Sequence, residues 1–219
     1  FTLLAFSLGC LTYWVDAIGT HEIDAPLAAM LLASSAALLL MAQAKLPADI
    51  DAASRARLAY MKSAEVDAKG KRVVDIFGKG GTVSGPLAFA VYNGAVGAAL
   101  LDLHDASVGA STLDARTREL AIMVACRETN YNLEWNGHEA SALKAGVDAK
   151  ILDVVKTKGA LTGLDEKDAT IIRFGRQLYT DKKVDSATFA KAVQFWGKRG
   201  VMDMVAVMNT YAVSGYFAI

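Results

Sequence analysis

Glu134 and His138 stand four residues apart in the stretch Glu134-Trp135-Asn136-Gly137-His138. On a helix of 3.6 residues per turn this spacing puts both side chains on one face, where a carboxylate and an imidazole can share a proton or a ligand. A solvated surface pair of that kind stabilises a helix by only about 0.2–0.5 kcal/mol, so its chemical weight must come from its surroundings. Ala121 to Cys126 is an unbroken apolar run, the mark of a core helix that delivers its polar ends, Glu119 and Arg127, to the neighbourhood of the next helix. Trp135 and Leu143 give that next helix an apolar side to bury. Half-buried acid/base pairs are where pKa values become useful for proton transfer.

Other chemistries are less well served. Glu134 and His138 offer two metal ligands, but no third is visible, His21 and His104 lie in unrelated segments, and no cysteine cluster supplies zinc spacing, so no metal site is assigned. Cys10 and Cys126 are too far apart in sequence to define a disulfide framework. Within its apolar run Cys126 reads as a small core hydrophobe with a raised pKa, not as a nucleophile. Tyr131 is a candidate donor, with simple packing as its plainer role. Gly78-Lys79-Gly80-Gly81 has no preceding strand and no closing Gly-Lys-Ser/Thr, and reads as a plain loop.

These residues need elements to hold them, and from Lys45 onward every long periodic segment reads as helix. Ser54 to Phe77 is amphipathic and is expected to form a helix or two; Pro86 to His104 is an Ala/Gly-rich helix. Leu113-Asp114 starts the helix carrying Arg116 to Arg127. Gly146 reads as a C-cap, Asp148 caps a helix to about Thr157, Asp165 caps Glu166 to Tyr179, and Ser186 caps Ala187 to Arg199, with Gly200 ending it. Val201 to Tyr216, apolar nearly all round, calls for full burial in a core or a subunit interface. The expectation is an all-α bundle of about seven or eight helices in one domain spanning residues 45–219.

Composition sets the frame. The 219 residues carry 23 basic and 23 acidic side chains, so nothing suggests a nucleic-acid footprint and a small-molecule ligand is the default. Residues 1–44 form an apolar extension whose second run ends Ala42-Gln43-Ala44, a small-x-small pattern typical of signal cleavage. A cleaved export signal over residues 30–44, with initiation at Met30, is the favoured reading; a membrane anchor and a buried helix are the alternatives. The protein is accordingly expected to be exported or periplasmic, or else membrane-anchored or cytoplasmic.

The ordered set of Arg116-Thr117-Arg118-Glu119-Leu120, an apolar run, Glu134-Trp135-x-x-His138 and Ala142-x-x-x-Gly146-Val147 resembles the carboxymuconolactone decarboxylase family, which includes the AhpD-like alkylhydroperoxidases. The likeness extends over roughly residues 45–219, taking in Leu46-Pro47, Ser84-Gly85-Pro86-Leu87 and the closing run Phe195 to Asp203 with Tyr211. It departs from the peroxidase branch at one decisive place: the positions of that branch's Cys-x-x-Cys pair hold Tyr131 and Glu134. The resemblance implies an AhpD-like helical bundle, assembled as a trimer or hexamer, that acts without a cofactor in decarboxylation or proton transfer on an unsaturated lactone carboxylate. His138, Glu119 and Glu134 would form its proton relay. Arg118 or Arg127, with Tyr131 and Trp135, would bind substrate. Two alternatives are an AhpD-like peroxidase running on Cys126 and a non-catalytic helical bundle that binds a small ligand.

Overall fold

The computed structural model describes residues 46–217, so the export-signal expectation for residues 1–44 lies outside the described residues. Seven α-helices make up the described chain: α1 (Lys71–Phe77), α2 (Gly94–Gly109), α3 (Ala115–Glu128), α4 (Asn132–Lys144), α5 (Ala149–Thr157), α6 (Glu166–Arg176) and α7 (Ser186–Phe217). No strand occurs among the described residues; a single antiparallel bridge joins Lys62 to Thr82. The protein is all-α, as its periodicity predicts. None of the described helices is long and apolar enough to cross a membrane.

Local chemistry sets most of the helix ends. Asp114, Asp148 and Asp165 each accept a backbone N–H from the first turn of α3, α5 and α6, satisfying donors that have no intrahelical partner. Helix α4 closes in a Schellman motif: Gly146 takes φ +92°, its N–H reaches Leu143 O at 3.0 Å, and Val147 N–H reaches Ala142 O at 2.9 Å.

Several boundaries fall elsewhere than the periodicity predicts. Over 54–77 only α1 and two short 3-10 turns form. Upstream of them the Asp51 carboxylate takes the N–H groups of Ala53 and Ser54, a local bond that competes with a helix. The Pro86 helix begins eight residues later, at Gly94, where Asn93 caps Val96 and Asp67 Oδ2 accepts the Gly94 N–H at 3.2 Å. Helix α6 gives way at Gln177 to a π turn through Asp181. The first part of α7 is capped by Asp185 rather than Ser186, through Thr188 N–H at 2.7 Å. Its break comes at Gly197, with φ +66° and ψ 173°, whereas Gly200 lies inside the helix, where a Cβ would meet Trp196 at 2.6 Å.

Helix α3 is the centre of the bundle, touching α4, α5, α6 and α7. Leu120 to Cys126 are buried without interruption, which is what a helix surrounded on all sides requires. Its main core partners are Ile171, Ile172 and Phe174 of α6 and Met204, Val207 and Met208 of α7. A smaller apolar cluster, Val73, Val83, Leu87, Val91 and Leu101, lies beneath α1 and α2. Helix α7 buries one face only, since Met202 and Tyr216 remain more than half exposed.

Candidate active site

The turn between α3 and α4 brings the relay together. Asn130 takes the left-handed conformation at φ +57°, and Tyr131 N–H donates to Cys126 O at 2.7 Å, so α4 folds back along α3. His138 then meets Glu119, nineteen residues earlier: Nδ1–H donates to Glu119 Oε2 at 2.9 Å. On its other side Nε2 lies 3.3 Å from Glu134 Oε2, an ion-pair distance outside hydrogen-bond geometry. The two nitrogens are therefore held unequally, with the Nδ1 proton fixed and the Nε2 proton loosely engaged.

Electrostatics determine the protonation state. Burial alone would lower the His138 pKa, but the hydrogen bond to Glu119, the close approach of Glu134 and the negative charges of both outweigh it and raise the value from 6.5 to about 9. At neutral pH His138 is an imidazolium between two largely buried carboxylates, and their burial is tolerable because it is there. Because the folded value lies above the unfolded one, the stabilisation is complete below about pH 6.5 and is lost as pH rises through about 9. The unfolding free energy from urea titrations is expected to fall across that window by at most ~3 kcal/mol, less the screening allowed by the open edge of the ring. His138→Gln should flatten the slope; a wild-type profile that is already flat would show that the ring is not held charged.

Glu134 and His138 line a cavity of about 390 Å³ together with apolar side chains that include Phe77, Leu87 and Leu101. The cavity lies where the two hydrophobic clusters meet. Glu119 is not in its wall, so Glu119 stands behind the imidazole and Glu134 in front of it. Tyr211, His104, Asp105, Thr210 and Ser214 add further polar groups to its lining. Tyr211 sits edge-on to His138 with ring centroids 4.9 Å apart, and its hydroxyl is 3.5 Å from His104 Nε2. Neither residue was among the candidates drawn from sequence. A signal existed for Tyr211, which falls in register with Met204, Val207 and Met208 on the buried stripe of α7, and a buried tyrosine needs somewhere to place its hydroxyl.

The other candidates lie elsewhere. Arg127 donates to Lys156 O at 2.7 Å and borders a separate polar cavity of about 260 Å³, together with Trp135. Arg118 is not in the wall of the first cavity, and its Nε is buried without a partner. Tyr131 is buried, with its hydroxyl 3.5 Å from Pro86 O and its ring against Gly215, where a Cβ would meet Tyr131 Cγ at 2.9 Å. Cys126 is buried, and burial first, then the Glu134 charge, pushes its thiol far above the usual range. No group of three His, Cys, Asp or Glu side chains that could hold a metal ion occurs among the described residues.

A helical bundle that presents an imidazolium between two carboxylates to an apolar chamber is suited to moving protons on a small molecule, and it is consistent with the AhpD-like proteins. Residues 94–170, from the start of α2 into α6, match the model of the carboxymuconolactone decarboxylase family. The matched stretch contains Glu119, Glu134 and His138 and stops short of Tyr211. No curated protein and no solved structure matches the chain significantly.

Proposed function

We propose that the protein is a cofactor-free carboxy-lyase acting on a small unsaturated lactone acid of the 4-carboxymuconolactone type. The observation that supports this reading most is the unequal grip on His138: Glu119 fixes Nδ1–H behind, while Nε2–H is loosely held at the cavity beside Glu134. In the reaction the bond between the ring carbon and the carboxylate breaks. Carbon dioxide leaves, and the electron pair moves into the conjugated lactone carbonyl to give an enolate. His138 Nε2–H then protonates carbon, leaving a neutral imidazole that recovers its proton from solvent. Overall one proton is consumed for each carbon dioxide released. Apolar walls assist, because they disfavour the charged carboxylate relative to neutral carbon dioxide.

Purified full chain supplied with 4-carboxymuconolactone is expected to release carbon dioxide, and thiol alkylation should leave the rate unchanged because Cys126 takes no part. Alkylation-sensitive reduction of hydroperoxides, with no carbon dioxide from lactone acids, would replace the lyase reading with a peroxidase.

A further inference from the structure

Beside His138, the cavity holds a hydrogen-bond donor that no part of the relay uses. Tyr211 is buried, yet its hydroxyl lies 3.5 Å from His104 Nε2, at the outer limit of a hydrogen bond. Both residues line the cavity and so meet anything bound there. A ligand with an apolar body and one accepting oxygen would lie against Phe77, Leu87 and Leu101 while giving this hydroxyl a better partner at little cost, since the contact it replaces is weak.

We infer that Tyr211 is a catalytic residue whose hydroxyl donates to the carbonyl oxygen of the bound ligand, and that His104 is a positioning residue whose weak contact keeps the hydroxyl at the cavity wall until the ligand oxygen takes it over. The assignment rests on the proton-transfer reading of this cavity and deepens it, since that reaction drives negative charge onto such an oxygen. A donor placed where charge develops stabilises the transition state more than the ground state. Tyr211 would keep its own proton throughout, because burial and then the charges of Glu134 and Glu119 raise its pKa well above the usual phenol range, against a smaller opposing effect of Arg118. The two arms then divide the work: Tyr211 holds oxygen and His138 serves carbon.

Coumarin, a conjugated lactone without a carboxylate, is a suitable probe. Bound to the full chain, its carbonyl stretch is expected at lower frequency than in Tyr211→Phe, and that substitution should weaken binding about 5- to 10-fold, the worth of one hydrogen bond. His104→Asn should produce a smaller shift in the same direction. If Tyr211→Phe folds poorly, 2H-chromene, which lacks the carbonyl, provides the comparison on the unaltered chain and should bind more weakly than coumarin. Equal affinities for the two, absence of coumarin binding, or a carbonyl stretch unmoved by Tyr211→Phe would each overturn the assignment. The two readings fail separately. Coumarin held by Tyr211 in a protein that releases no carbon dioxide removes only the decarboxylase reading, whereas carbon dioxide release untouched by Tyr211→Phe removes only the donor.

Discussion

His138→Ala is expected to lower turnover of the lactone acid by about 100-fold or more, the usual worth of a positioned general acid. No other side chain in the cavity wall combines a transferable proton with a carboxylate on each side of it. His138→Gln should be equally inactive, since an amide cannot deliver the proton, although it can still hydrogen-bond. Glu119→Gln should cost less, because it leaves the imidazole in place and removes only the group fixing Nδ1–H. Combined with His138→Ala it should add little, since groups acting as one unit are non-additive. Circular dichroism of each variant separates lost chemistry from lost structure, a necessary control when His138 also offsets two buried carboxylates. Full turnover by His138→Ala would end the relay argument.

Arg116→Ala is expected to give the largest loss of stability, about 3–5 kcal/mol, the range for breaking a buried ion pair. Arg116 grips Asp168 with two parallel bonds of 2.6 and 2.8 Å, and its Nε donates to Gly146 O at 3.0 Å. One guanidinium thus joins α3, α6 and the turn after α4. Asp168 is only 3% exposed, so removing the arginine strands a carboxylate away from water. Asp168→Ala should cost less, because the Arg116 side chain is 33% exposed and can turn to solvent. For Arg116→Ala a melting temperature lower by roughly 10 °C is expected for a chain of this size. A change of a degree or less would reduce the pair to a surface contact.

What the sequence by itself determined are the features that depend on residues within a turn or two of each other. Asp114, Asp148 and Asp165 start helices because a carboxylate reaches a nearby backbone N–H whatever the rest of the chain does. Glu134 and His138 share a face because helix geometry allows no other outcome at that spacing, and the run Ala121 to Cys126 marked a core helix because it is apolar all round. Where several local rules competed, packing chose: Gly200 gives a break as plausibly as Gly197 until Trp196 lies against it. Only the tertiary structure decided which distant residues meet. Glu119 reaches His138 because the turn at Asn130 lays α4 on α3, and Tyr211 reaches His104, 107 residues earlier, because α7 lies along α2. Arg127 and Trp135 are close in sequence to the relay, yet they border a different cavity, because neighbouring positions on a helix point about 100° apart and only the packed partners fix which direction holds the chamber.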